Sequence, residues 1–277
     1  MTAGTWYINN DITVNSGVTL TISAGANINL TPATTVTVNG TLSIASSATI
    51  SGGGSIVTAG SGKIVVTNST DATAFNSSRK LVRDSAGNYH LVFETENEIC
   101  YEKLTGSGAL TQFSRLSAGN GSNKFPSIAE RSGKLYVIWQ RKIGTNLYNL
   151  LFRHFNATSW ETIRTVTSSI ASSNDLLPVI SVSKPSASFG IMVAYRTNSG
   201  LASKLSTSTN GSSWPTTEYM ITSNTSARNP SLVYRGAVSL TFNVTWDDGS
   251  NISHQVFNGS TWEAATTLSD NTASINH

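Results

Sequence analysis

FNATSWE at Phe155–Glu161 and FNGSTWE at Phe257–Glu263 are nearly the same heptad, written in two distant places of one chain. In each copy an asparagine, followed by Gly259 in the second, suits a tight turn because these residues tolerate backbone with positive φ. The tryptophan that follows is well placed to pack between strands. A related turn, NGSSW at Asn210–Trp214, lies between the two heptads. The heptads therefore predict one β-hairpin that belongs to a repeated unit.

The rest of the repeated unit can be read around these turns. PSIA at Pro126, PVIS at Pro178 and PSLV at Pro230 recur at an even spacing of 52 residues, and each precedes an apolar stretch that ends in an aromatic residue. A third stretch, the turn and a fourth stretch follow each time, and a more divergent copy begins at Arg79. Four strands per unit are typical of β-propeller blades. The predicted blades cover residues 79–121, 125–173, 177–225 and 228–270, in a propeller domain at 76–277.

A different repeat occupies the first part of the chain. GVTLTISAGANI at Gly17–Ile28 aligns without gaps with NGTLSIASSATI at Asn39–Ile50, and the offset places Leu42 in phase with Ile64. Alternation of apolar and polar residues indicates short, half-buried strands. Three such strands in each unit of about 22 residues predict a short parallel β-helix over residues 1–75. The expected fold is therefore all-β, with a β-helix followed by a four-repeat propeller of four-stranded blades.

Composition limits the function classes. Only 12% of the residues are charged, and the net charge is +3. Lysine and arginine are scattered singly instead of forming the stripe that binds a phosphate backbone, so no nucleic-acid partner is expected. No run approaches the roughly 18 apolar residues of a membrane helix, and no signal peptide is present in this chain. Cys100 is the single cysteine and is expected to be buried. No metal or cofactor site is predicted.

One turn carries a family resemblance. TSTNGSSW at Thr207–Trp214 resembles the Asp-box (BNR repeat) of sialidase-like propellers, whose usual pattern is Ser-x-Asp-x-Gly-x-Thr-Trp. The stretch PSIAERSGKLYVIWQRK is similar to the propeller repeats of bacterial surface proteins. Thr209 stands at the Asp position, and Phe155 and Phe257 occupy it in the related hairpins. The resemblance covers about residues 77–270, which is most of the chain, and implies a secreted or cell-surface protein.

The same resemblance defines what an enzyme of this kind needs. Sialidases use three arginines that converge on a substrate carboxylate, a tyrosine activated by a glutamate, and an aspartate as acid/base. The arginines here occupy unlike positions in their blades, namely Arg79, Arg131, Arg196 and Arg228. Glu218 and Tyr219 are neighbours in sequence and would point to opposite sides of a strand. No catalytic residue is predicted, and a sialidase-like glycoside hydrolase is the alternative function.

A binding role needs only a rigid frame with variable loops. The aromatic residue that ends each second strand is followed by a polar residue, and such positions converge around one end of a propeller. The candidate ligand-binding residues are Glu94, Gln140, Arg196, Asp247, Trp139, Tyr195 and Trp246. The polar side chains could instead be solvated hairpin residues, and the aromatic ones could pack between blades. The sequence predicts a monomeric, non-catalytic binding or scaffold protein, with a glycan or a surface protein as its partner in recognition or adhesion.

Overall fold

The computed structural model describes residues 1–45, 47–58, 61–65, 72–73, 77–95, 97–108, 110–117, 122–183, 189–236 and 240–268. The predicted domain boundary at 75–76 and the predicted blade ends at 121 and 270 lie outside these residues. Every regular element of the described part is a β-strand, which confirms the all-β class. The first nine strands are β1 (Gly4–Ile8), β2 (Ile12–Val14), β3 (Thr19–Ile22), β4 (Ala26–Leu30), β5 (Thr35–Val38), β6 (Thr41–Ile44), β7 (Thr49–Gly52), β8 (Ser55–Thr58) and β9 (Ser61–Val65).

Sixteen further strands follow. They are β10 (Leu81–Arg83), β11 (Tyr89–Thr95), β12 (Glu98–Leu104), β13 (Leu110–Arg115), β14 (Ser122–Arg131), β15 (Lys134–Gly144), β16 (Leu147–Phe155), β17 (Arg164–Ala171), β18 (Val179–Val182), β19 (Ile191–Thr197), β20 (Gly200–Ser206), β21 (Tyr219–Thr222), β22 (Arg228–Tyr234), β23 (Phe242–Asp247), β24 (Ile252–Phe257) and β25 (Thr266–Thr267). Within the described residues, no helix is long and apolar enough to cross a membrane.

The chain forms two compact units. The first consists of Met1–Ala72 with Ala86–Ala118, and the second of Thr73–Ser85 with Gly119–His277. Residues 86–118 therefore group with the N-terminal strands, whereas the sequence assigned them to the second domain. The predicted domain division remains a prediction.

Parallel strand pairs build the N-terminal part of the first unit. The sheets run β1-β4-β7, β2-β5-β8-β9 and β3-β6. Thr19 pairs with Thr41 and Asn27 with Thr49, so the 22-residue offset seen in the sequence is the register of these pairs. Leu30 is fully buried in the core between the sheets.

The 22-residue phase ends at β8, which pairs with β5 at an offset of 20 residues, as in Thr35 with Ser55. The sequence placed Ile64 in phase with Leu42, but β9 pairs antiparallel with β8, and Ile64 lies opposite Ile56. Only two residues separate β8 from β9, too few for the crossover that a parallel pair requires. The prediction for Ile64 is therefore wrong, and Leu42 lies opposite Leu20 of β3.

An antiparallel sheet completes the first unit. β12 pairs with β11 on one side and with β13 on the other, and Phe93 lies opposite Cys100. Cys100 is fully buried, as expected. The amide of Glu94 donates to the carbonyl oxygen of Ala72 at 3.3 Å, which links this sheet to the end of the N-terminal segment.

Three four-stranded antiparallel sheets form most of the second unit. We call them sheet A (β14-β15-β16-β17), sheet B (β18-β19-β20-β21) and sheet C (β22-β23-β24-β25). One apolar cluster joins sheets A and B and includes Phe152, Ile180 and Tyr195. A second cluster joins sheets B and C and includes Met192 and Trp246. Burial of apolar surface between sheets is therefore what holds this unit together.

Sheet C differs from its neighbours in one respect. The two central strands of sheet B are buried on both faces over most of their length. In β23 and β24 buried and half-buried residues alternate, the pattern of a sheet with one covered face. Closure of four blades into a ring would cover both faces of every sheet, and it is not confirmed.

The two heptads form matching turns. The side-chain oxygen of Asn156 accepts hydrogen bonds from the amides of Thr158 and Ser159, at 3.0 and 2.9 Å. Asn258 holds the amides of Ser260 and Thr261 in the same way, both at 3.1 Å. In each turn the phenylalanine and the tryptophan of the heptad form an isolated bridge, and their ring centroids are 5.3 Å apart. The hairpin predicted from the heptads is confirmed.

Candidate functional site

The four polar candidates occupy one ladder position in their sheets. Gln140 lies opposite Leu150, Arg196 opposite Leu201, and Asp247 opposite Ile252 on the third strand. Glu94 lies opposite Ile99 in the first unit. The alignment made from the sequence thus identifies equivalent positions, although a common recognition surface remains a prediction.

Two of these side chains are buried. Glu94 and Gln140 are at most 2% exposed. The Gln140 amide nitrogen donates to an Asp175 carboxylate oxygen at 2.6 Å, and its oxygen accepts the Leu176 amide at 2.6 Å. Gln140 therefore ties sheet A to the segment that enters sheet B, and its hydrogen-bonding groups are already occupied.

The other two polar candidates reach the surface. Asp247 is partly exposed and pairs with Arg228 at 2.9 Å, while its second oxygen accepts the Gly249 amide at 2.6 Å. Arg196 is half-buried, and one terminal nitrogen donates weakly to the Thr225 carbonyl at 3.4 Å. Its buried Nε has no hydrogen-bond partner in the described part of the chain. Arg196 is the one of the four that could still accept a ligand without breaking a strong contact.

The three aromatic candidates lie in the interior. Trp139 and Tyr195 are fully buried, and Trp246 is 3% exposed. Trp139 donates its indole N–H to the Asn123 side-chain oxygen at 3.0 Å. Tyr195 and Trp246 belong to the clusters between the sheets. A ring without an exposed face cannot stack on a sugar, and we assign all three to packing.

The structure forms a tyrosine–glutamate pair that the sequence did not reveal. The hydroxyl of Tyr195 donates to the carboxylate of Glu218, which is exposed. In the sequence, the tyrosine beside Glu218 is Tyr219. The hydrogen-bond partner of Glu218 is instead Tyr195 on β19, which strand pairing brings close to it. Burial, and then the hydrogen bond to Glu218, raise the pKa of Tyr195 above its ordinary value. A nucleophilic tyrosine needs the opposite shift.

The first strands of the three sheets enclose a cavity of about 280 Å³. We call it the first-strand cavity; it is lined by Ser77, Arg79, Ser127, Val179, Ile180, Ser231 and Leu232. Ser127, Val179 and Ser231 are the second residues of the PSIA, PVIS and PSLV motifs. The 52-residue period therefore places equivalent positions of three sheets around one space.

The segment before β10 forms one wall of this cavity. The Ser78 hydroxyl donates to the Pro178 carbonyl at 3.2 Å, and the Arg79 carbonyl accepts the Ile128 amide at 2.9 Å. Lys80 donates to the Pro126 carbonyl. These bonds fix the backbone of residues 78–80 against sheets A and B.

Two polar side chains of the cavity wall have no partner within the described residues. The Ser127 hydroxyl is buried and has no hydrogen-bond partner among the described residues. The Arg79 side chain is exposed and forms no ion pair within the described part of the chain. A buried hydroxyl without a partner is costly, and a bound polar group would satisfy it. The sequence named Arg79 and the proline motifs but gave no sign that they meet, because that depends on how the sheets pack.

A second polar cluster joins sheets A and B. Nδ1 of His154 lies 3.1 Å from a Glu161 carboxylate oxygen, and the other oxygen of Glu161 accepts from Arg164 at 2.7 Å and from Asn210 at 3.2 Å. Asn210 belongs to the turn that resembles an Asp-box. Nε2 of the buried His154 has no partner in the described part of the chain, and its ring lies 4.8 Å from that of Tyr136. The cluster is thus a polar contact between sheets A and B.

This cluster predicts a loss of stability in acid. Burial lowers the pKa of His154, although Glu161 opposes the shift. Burial acts to raise the pKa of Glu161, but the hydrogen bond from His154 and the charge of Arg164 lower it overall. Each group binds fewer protons in the folded state than in the unfolded state. The contribution of both groups to the free energy of unfolding therefore falls as the pH drops, beginning near the ordinary histidine pKa of about 6.5. We expect the urea midpoint to decrease between neutral pH and pH ~5.

Variants separate this effect from general acid destabilisation. His154→Gln should show a smaller decrease over the same pH interval, because the buried imidazole is gone. His254→Gln changes a half-exposed histidine on sheet C and serves as the control. An equal pH dependence in all three proteins would contradict the assignment to His154.

Comparisons with known proteins give structural likenesses only. No protein-family model and no curated protein match the chain. A six-bladed β-propeller lectin of Aleuria aurantia with a fucose recognition mode is 11% identical, with a TM-score of 0.47, over 69% of this chain and 60% of the lectin. A mutant of the NanB sialidase from Streptococcus pneumoniae is 10% identical, with a TM-score of 0.47, over 61% of this chain and 27% of the sialidase. An endo-arabinase from Bacteroides thetaiotaomicron is 13% identical, with a TM-score of 0.43, over 72% of this chain and 84% of the arabinase. The chain thus spans less than two thirds of the lectin, and its function must be argued from its own residues.

Proposed function

We propose that this protein is a non-catalytic binding protein that recognises a glycan through the first-strand cavity. The observation that carries the proposal is that the exposed Arg79 and Ser127, whose buried hydroxyl has no hydrogen-bond partner among the described residues, line the same cavity. Donors from fixed strands can orient a polyhydroxylated ligand, and Val179 and Leu232 can cover its apolar face. The volume is slightly below the roughly 300–1,000 Å³ of drug-sized sites, which favours one sugar unit of a longer glycan.

The test is a glycan array followed by titration calorimetry on the best hit. Arg79→Ala is expected to weaken that hit by about tenfold or more, because a charge-assisted hydrogen bond contributes about 1.5–3 kcal/mol. Arg235→Ala is the matched control, because Arg235 is exposed and lies outside the cavity. An array without hits, or a hit that ignores Arg79, would count against the proposal.

The architecture behind this proposal is a short parallel β-helix followed by a four-repeat propeller. The parallel pairs at a 22-residue register support the first part, and the recurring four-stranded sheets support the second. We further propose that the turns descend from Asp-box (BNR) repeats, and that the protein acts as a monomer, secreted or at the cell surface, in adhesion or glycan recognition.

A sialidase-like glycoside hydrolase is the second candidate, favoured by the Tyr195–Glu218 hydrogen bond. The raised pKa of Tyr195 and its full burial argue against a nucleophile. We therefore expect no release of sialic acid from a fluorogenic sialoside. Turnover that disappears in Tyr195→Phe, in a variant that still folds, would establish the enzyme instead.

A further inference from the structure

We infer that the face of sheet C that points away from sheet B is built to face solvent rather than a second copy of this chain. The inference concerns the face of sheet C that points away from sheet B. It is independent of the ligand proposed for the first-strand cavity.

Sheet B shows what a covered face looks like at these positions. Met192 pairs with Leu205 across β19 and β20, and Ala194 pairs with Ser203. All four are buried, and Met192, Ala194 and Leu205 belong to the cluster that packs against sheet C. Ser203 accepts the indole N–H of Trp262 from sheet C at 2.9 Å. Where sheet B packs against sheet C, three of these four residues are therefore apolar, and the hydroxyl of the fourth, Ser203, has a hydrogen-bond partner.

The same ladder positions of sheet C carry different residues. Trp246 of sheet C is equivalent to Tyr195 of sheet B. Met192 and Ala194 precede Tyr195 by three residues and one residue, and Asn243 and Thr245 precede Trp246 by the same distances. Asn243 pairs with Val256, and Thr245 pairs with His254. All four are half-buried. Asn243 and His254 approach each other at 3.4 Å across the strands. An amide and a hydroxyl replace apolar side chains at two of the four positions, and the imidazole of His254 stands where sheet B has Ser203.

This replacement has a physical consequence. A sheet stacked on this face would remove an amide, a hydroxyl and an imidazole from water and would have to supply each with a partner. Repeat proteins need a polar outer face on their end units to remain in solution. Sheet C has such a face, and sheet B does not.

Acylation of histidine by diethyl pyrocarbonate, read by peptide mass spectrometry, tests the inference on the unmodified full chain. His254 should react at least tenfold faster than His154 and His90, which are buried and serve as internal controls. The rate at His254 should stay constant over a hundredfold range of protein concentration.

Two results would overturn the inference. Protection of His254 at all concentrations, to the level of His154, would mean that another part of the chain covers the face. Protection that grows with protein concentration would mean that a second copy docks there. The urea-unfolded chain must show equal reactivity at His90, His154 and His254.

Discussion

Leu30→Asp is expected to unfold the N-terminal strands, with a loss of about 4 kcal/mol or more in the free energy of unfolding. Leu30 is fully buried, and its strand is paired on both sides, with Ile8 of β1 and Gly52 of β7. The space beside it is closed, since a Cβ built on Gly54 would lie 2.6 Å from the Leu30 Cβ. A carboxylate there would be removed from water and placed among the apolar side chains of the core. Chemical denaturation, together with hydrogen exchange of residues 1–58, would measure the loss.

Asn27→Asp is the matched control. Asn27 lies on the same strand but is exposed, and its side-chain oxygen accepts the Thr49 hydroxyl at 2.6 Å. Aspartate keeps that acceptor, so the change should cost less than about 1 kcal/mol. Equal damage from both variants would mean that the inward and outward faces of β4 are misassigned.

Trp139→Ala is expected to lower the free energy of unfolding by about 3–5 kcal/mol. The side chain is fully buried, and its loss would leave a large cavity beside β16, where Trp139 lies opposite Leu151. The Asn123 oxygen would also lose the indole donor, although Arg141 still reaches it at 3.0 Å. Urea unfolding followed by far-ultraviolet circular dichroism would measure the change.

Trp6→Ala provides the comparison for this variant. Trp6 is 41% exposed, and its removal should cost less than about 1 kcal/mol. If Trp139 were a sugar platform, its loss would abolish binding and leave stability nearly unchanged. That outcome would support a sugar-binding role for Trp139, which its burial argues against.

Local patterns in the sequence predict local structure well in this protein. The turns at Asn156 and Asn258 depend on a side chain that bonds amides two and three residues ahead, so short-range chemistry determines them. The parallel register of Thr19 with Thr41 follows from an alternating pattern that repeats without gaps. In both cases the decisive contacts lie within one repeat or between adjacent ones.

Long-range contacts explain what the sequence left hidden. The partner of Glu218 is Tyr195, which approaches across β20 and not along the strand. Gln140 could be aligned with Arg196, but its burial depends on Asp175, which belongs to the link between the sheets. Alignment shows which positions are equivalent, whereas packing determines which of them meet solvent.

The bond between Ser78 and Pro178 also bears on how the protein folds, because it joins residues 100 positions apart. Contacts of such separation carry a large loop-closure entropy and form late relative to local hairpins. During synthesis, residues 77–80 emerge well before sheets A and B, to which they bind. The wall of the first-strand cavity is therefore assembled last, and refolding chains should regain sheet structure before they regain the ability to bind.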